Sequence, residues 1–187
     1  MTRFQVHTHE TAPAAARPSL DAAKKAFGMV PNLIGALAEA PAAAEAYLAI
    51  GGAFGKSSLS ATEQQTVLLT VSFLNECHYC MAAHSTVAKA QDVPADVIAA
   101  LRDGSDLADE RLGALQRFMR AVVDQRGWVQ GDALEAFLDA GFSKQHALEV
   151  VTGVAMKTLS NYANHLLDTP VDDAFAAMRW QKPQPSV

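Results

Sequence analysis

Apolar residues along the chain recur three and four positions apart, the spacing of one helix face. Leu112, Leu115, Phe118, Met119 and Val122 form such a stripe and predict an amphipathic helix over Asp109–Gln125. Earlier in the chain, Val67-Leu68-Leu69-Thr70-Val71-Ser72-Phe73-Leu74 is apolar nearly all round, which predicts a helix buried in a core or an interface. Ser60-Ala61-Thr62-Glu63 reads as its capping box, and Asn75, a residue that tolerates the left-handed conformation, marks its end. A further helix is predicted from Cys77 to Ala90.

The remaining punctuation follows the same logic. Ser19 or Asp21 caps a short helix that Gly28 stops. Pro31 and Pro41 open the next two, where their missing N–H groups are tolerated. Gly51-Gly52 inside the second of these marks either close packing or a break. Pro94 starts a short helix ending near Gly104; Gly127–Gly131 is a turn; Asp132–Ala140 and Ser143–Leu167 are helical; Pro170 opens the last helix, which ends before Pro183. No strand alternation of useful length and no internal repeat interrupts this pattern. The expectation is an all-α, single-domain bundle of about eight to ten helices with short loops. Residues 1–18, with His7 and His9 alternating around Thr8, are read as an exposed, flexible arm; 19–182 form the helical domain; 183–187 form a tail.

Composition narrows the function. The 187 residues, half of them apolar, suffice for one core-forming domain. A net charge of −5 and the lack of a basic run argue against nucleic acid. No apolar stretch suits a membrane span, and the first residues lack a signal-peptide core, so a reducing cytoplasm is expected. There, two cysteines two residues apart are more often catalytic or metal-binding than structural.

Those cysteines lie in Asn75-Glu76-Cys77-His78-Tyr79-Cys80-Met81-Ala82-Ala83-His84. On a helix Cys77, Cys80 and His84 share one face, while Tyr79 points to the other side. A break at Asn75-Glu76 puts both thiols in a first turn, where backbone N–H groups and the helix dipole favour thiolate. His84 is positioned to take a thiol proton or form a thiolate–imidazolium pair. The sulfurs are expected at the mouth of a buried helical hairpin, within reach of a small oxidant. Oxidation of one sulfur and disulfide closure by the other would make a two-thiol peroxidase or an exchanger. Three other readings stay open: a structural pair, coincidence on a buried helix, or zinc held by Cys77, Cys80 and His84 with His78 or His165 as fourth ligand. The zinc reading belongs with a second function class, a non-enzymatic redox-sensing or metal-binding helical oligomer. Asn161, Tyr162 and His165, late in the long helix, are read as interface polar groups or as a pocket wall with His165 an auxiliary base. Trp128 and Trp180 read as packing or interface anchors.

The stretch from Ser60 through His84 resembles the alkylhydroperoxidase D-like group of the carboxymuconolactone decarboxylase superfamily. Phe27-Gly28-Met29-Val30-Pro31-Asn32-Leu33 and Leu159-Ser160-Asn161-Tyr162-Ala163-Asn164-His165 are similar to one of its peroxidase-related subgroups. The resemblance implies thiol-dependent reduction of hydroperoxides without cofactor or metal, an external thiol reductant (a protein or a small dithiol), and a homo-oligomer (dimer, trimer or hexamer). It implies that Cys80 attacks, that Cys77 closes a redox-active disulfide, and that His84 belongs to a proton relay. The family's relay ends in a glutamate where this chain has Gln65, which hydrogen-bonds but carries no proton as a carboxylate does. If the chain reverses at Asn75-Glu76, Gln65 lies about 15 Å back and His84 about 12 Å forward, roughly level across an antiparallel pair. Glu63 lies about 3 Å further from the turn and is the alternative. Tyr79 stands where some members of the group carry histidine, and it is counted with His165 and Asn161 as an auxiliary pocket residue.

Overall fold

The computed structural model describes residues 4–183, and these are all helical or irregular, with no strand among them. Nine α-helices follow in order: α1 Arg17–Phe27, α2 Asn32–Leu37, α3 Pro41–Phe54, α4 Ala61–Leu74, α5 His78–Ala90, α6 Ala95–Asp103, α7 Glu110–Asp124, α8 Asp132–Asp139 and α9 Lys144–Leu167. Two 3-10 segments, Ala14–Ala16 and Asp173–Met178, bracket them.

Helix α4 is the axis. Its residues from Gln65 to Ser72 are all buried, so it presents no face to water, and it packs against α5, α6, α7 and α9. The capping box forms: the Glu63 amide donates to Ser60 Oγ at 3.2 Å and the Ser60 amide to Glu63 Oε2 at 2.8 Å. One core joins Val67, Leu68 and Val71 to Leu115, Phe118 and Met119 of α7 and to the stacked Phe137 and Phe142 beside α8. A second gathers Leu69, Met81 and Leu101 around Trp180. The α4–α9 crossing is close because Gly153 has no side chain: a Cβ there would lie 2.6 Å from Val67 and 2.8 Å from Phe54. Gly51, within an unbroken α3, faces Met156 of α9 in ordinary contact, so packing and not a break explains it.

Three expectations are corrected, and the arm gains detail: most of residues 4–18 are exposed, but His7 is buried, its amide donates to the Gly35 carbonyl at 3.0 Å, and Ala12 and Ala16 join a small core with Leu20 and Ile34. The alanines look featureless in sequence, yet they are small enough to seat α1 on α2. Helix α1 starts at Arg17 behind Ala16, so neither Ser19 nor Asp21 caps it, and Pro18 lies in its first turn. The left-handed residue ending α4 is Glu76, at φ 55°, and not Asn75. The segment after Pro170 forms only the short 3-10 element, because its backbone follows the surface of α5 to seat Trp180. Residues 1–3 of the arm and 184–187 of the tail lie outside the described residues.

Candidate active site

The chain reversal after α4 builds the site. The Cys77 amide donates to the Ser72 carbonyl at 2.9 Å and the Glu76 amide to Phe73 at 3.0 Å, the paired bonds of a Schellman ending with Glu76 in the left-handed position. Cys77 thereby becomes the residue that caps α5, and Cys80 sits in its first turn, among N–H groups that have no helical acceptor. Both thiols are free and almost fully buried.

What meets them comes from α9, some eighty residues later. Lys157, Ser160, Asn161 and Asn164 are buried at i, i+3, i+4 and i+7 and form one polar face inside the bundle. The Asn164 amide nitrogen reaches Cys80 Sγ at 3.3 Å and Cys77 Sγ at 3.8 Å. Cys80 Sγ and Ser160 Oγ are hydrogen-bonded at 3.8 Å. Asn161 accepts from the Asn75 side chain at 3.0 Å, tying α9 to the reversal. Lys157 is wholly buried, and its Nζ has no hydrogen-bond partner. Of this face the sequence reading singled out only Asn161. The missed signal was a lysine and two small polar residues on the face that packing demands be apolar.

The two thiols differ. A hydrogen bond shared with Cys80, and then burial, push the Cys77 thiol up. Burial would do the same to Cys80, but the bond from Cys77 and the nearby Lys157 ammonium outweigh it and hold Cys80 well below the ordinary thiol value. Of the two, Cys80 is the one whose surroundings favour the thiolate.

His84 does meet Gln65. Gln65 Nε2 donates to Gln91 Oε1 at 3.0 Å, which leaves Gln65 Oε1, 3.3 Å from His84 Nδ1, as an acceptor. That orientation puts the imidazole proton on Nδ1 and leaves Nε2 unprotonated. Burial, and then the charge of Lys157, push His84 well below its ordinary value, so it is neutral at physiological pH. The expected thiolate–imidazolium pair is therefore corrected: the cation beside Cys80 is Lys157.

Other candidates fall elsewhere. Glu63 stays in its capping box and pairs with Arg111 at 3.0 Å; it is a structural carboxylate. His165 is exposed, while its neighbour Asn164 faces the thiols; the rotation of about 100° between adjacent helical positions decides this. His78 turns to the Trp180 carbonyl at 3.1 Å, so neither histidine is placed as a fourth zinc ligand. Among the described residues no three His, Cys, Asp or Glu side chains converge as a metal-binding group. Tyr79 is not turned away from the site. It is buried in one cluster with both cysteines, and its hydroxyl donates to Asp172, which also accepts from the Asn32 amide at 3.0 Å.

An apolar cavity of about 220 Å³ opens beside this cluster, walled by Leu33, Tyr47, Tyr79, Ala83, His84 and Phe175. Burial, and then the charge at Cys80, push the Tyr47 phenol up, keeping it protonated. The sulfurs do not border the cavity; they lie behind its Tyr47 and Tyr79 walls, which corrects the expectation of an open mouth. A reactant seated there needs a wall side chain to swing before it touches Cys80.

The all-α bundle, with its buried paired thiols at a helix N-terminus backed by a long helix, shares the alkylhydroperoxidase D-like fold of the solved structures it matches. Residues 41–124 match the model of the carboxymuconolactone decarboxylase family. The fold matches the alkylhydroperoxidase core of a peroxidase-related protein from Ralstonia eutropha JMP134, with TM-score 0.81, 22% identity, 94% of this chain and 95% of that one covered. A peroxidase-related protein from Silicibacter sp. TM1040 matches with TM-score 0.77, 18% identity and coverage of 93% and 92%. The debrominase Bmp8, solved with 2,3,4-tribromopyrrole, matches with TM-score 0.78, 18% identity and coverage of 95% and 96%. Comparison with curated proteins gives no match.

Proposed function

We propose that this protein reduces small organic hydroperoxides with its own dithiol, drawing electrons from an external thiol reductant. The observation that carries the reading is the Asn164 amide within reach of both sulfurs, one held up as thiol and one held down as thiolate. A hydroperoxide in the apolar cavity donates its O–H to the free Nε2 of His84. The Cys80 thiolate attacks the terminal oxygen and the O–O bond breaks, giving a sulfenic acid and an alkoxide. The alkoxide takes the Cys77 proton and leaves as alcohol. The Cys77 thiolate then attacks the Cys80 sulfur, and the departing hydroxide becomes water with the proton Cys80 lost on ionising. An external dithiol reduces the disulfide and restores the start. Free thiols suit a reducing, cytoplasmic setting. No helix among the described residues is long and apolar enough to cross a membrane.

A second reading is favoured by the aromatic cavity walls and the likeness to Bmp8: reductive dehalogenation of a flat ring, in which the same two thiols become a disulfide and halide leaves. A side-by-side assay of cumene hydroperoxide and a bromopyrrole with dithiothreitol separates the two. Cys80→Ser should abolish turnover of the true substrate with helicity intact; Cys77→Ser should stop after one turnover with a dimedone-reactive Cys80. Turnover by the Cys80→Ser protein at the parent rate would end the dithiol assignment. We further propose a homo-oligomer, because Leu148, Val151, Tyr162 and Leu166 lie exposed on the outer side of α9.

A further inference from the structure

We propose that Lys157 is the resident counter-ion of the Cys80 thiolate and stores the proton that Cys80 gives up, in place of a carboxylate-backed relay. The role rests first on placement. Lys157 lies one turn before Ser160 and two before Asn164, both of which touch Cys80, and all three share one face of α9. The second ground is what Lys157 lacks. It is wholly buried, it makes no ion pair, and its Nζ has no hydrogen-bond partner. An isolated buried ammonium is costly enough that it must find an anion or lose its proton.

The buried carboxylates among the described residues are already engaged elsewhere: Glu63 with Arg111 and Ser60, Asp172 with Tyr79 and the amide of Asn32. The thiolate is the anion that remains. The other groups that face Cys80 do not replace it. Cys77 and Tyr47 stay protonated, Tyr79 is a protonated phenol bound to Asp172, and His84 is neutral. Gln65, which ends the His84 chain at Gln91, takes up no proton.

The charge balance then holds through the cycle proposed above. In the dithiol form the ammonium and the thiolate cancel. Disulfide closure consumes the thiolate, and the hydroxide leaving Cys80 takes the Lys157 proton, so the oxidised site is left with a neutral amine and no unpaired charge. Reduction by a dithiol returns one proton to Lys157 and one to Cys77.

The test does not depend on peroxide turnover. In the full chain carrying Cys77→Ser, the pH dependence of iodoacetamide alkylation reports ionisation of Cys80 alone. Lys157→Met should move the midpoint up by about one pH unit or more, cutting the rate at neutral pH about tenfold, whereas Lys157→Arg keeps it near the parent. His84→Gln should leave the midpoint in place. An unmoved midpoint in Lys157→Met, or an equal shift in His84→Gln, overturns the assignment. Should Lys157→Met not fold, as judged by circular dichroism, the unsubstituted protein still decides. Its Lys157 Nζ resonance should report an ammonium in the dithiol form and a neutral amine in the disulfide form, and the same state in both would overturn the proposal. If the alkylation shift appears but no hydroperoxide is reduced, the function above fails and the counter-ion stands.

Discussion

At the scale of the residue, one acid and one carboxamide show how position outranks chemistry. Glu63 is the nearest carboxylate to the expected relay, yet its oxygens are taken by the Ser60 amide and Arg111. Gln65, two positions on, meets His84. Glu63→Gln should therefore destabilise the fold by about 1 kcal/mol, the usual worth of a helix cap, and leave alkylation of Cys80 unchanged. Burial would raise the Glu63 carboxyl, but its bonds to Ser60 and Arg111 lower it below the ordinary value. A lowered folded value means that its stabilisation is present above the ordinary carboxylate range and is lost as pH falls through the lowered one. Thermal melts from neutral to acidic pH should show the parent losing ground to Glu63→Gln over that interval, and parallel curves would remove the residue's electrostatic role. The thiols, the histidine and its Gln65 partner were legible because their spacing around one predicted reversal fixed their level on two antiparallel helices. Lys157 and Asn164 were not, since a lysine and an asparagine on a helix read as solvent-facing until the rotation of α9 against its neighbours is known.

At the scale of the element, the α4–α5 reversal and the α4–α9 crossing hold the thiols against α9. Glu76 occupies a left-handed position that costs a non-glycine residue about 1–2 kcal/mol. Glu76→Gly should raise stability by about 0.5–1 kcal/mol after the added freedom of the unfolded chain is set against that relief. Its exposed pairing with Lys182, at 2.7 Å, offsets little. A denaturant midpoint that falls would show that Glu76 is not strained. Gly153 is the opposite case. Gly153→Val places atoms where Val67 and Phe54 already stand, and should cost about 1–3 kcal/mol by overpacking. It should also lift α9 from α4, so that Asn164 leaves the sulfurs and the alkylation rate of Cys80 at neutral pH falls. A variant of parent stability and reactivity would mean that the crossing is looser than its glycine implies.

At the scale of the whole molecule, α9 serves two directions. Its inner face carries Lys157, Ser160, Asn161 and Asn164, and its outer face leaves Leu148, Tyr162 and Leu166 more than half exposed. Large apolar side chains in a row on one exposed face are costly in water unless another surface covers them. Leu166→Glu should convert the proposed homo-oligomer to monomer in light scattering, with helicity retained. A parent protein that already scatters as a monomer, or an unchanged mass in the variant, would remove this face as the interface. Assembly through α9 would also stiffen the helix whose other side holds the thiolate.

The sequence by itself determined the helices, most of their ends, the bundle class and the meeting of His84 with Gln65. These are local matters of capping groups, glycine and proline limits, and a periodicity of three to four residues, each written within one or two turns of chain. Only the tertiary structure decided that Ala12 and Ala16 seat the first residues on the body, that the sulfurs lie behind a wall of Tyr47 and Tyr79, and that Lys157 is buried on the α9 face that meets Cys80. Those depend on the rotation of α9 about its axis and on how closely glycine lets helices approach, which are set by the fit of distant surfaces and leave no mark in the residues nearby.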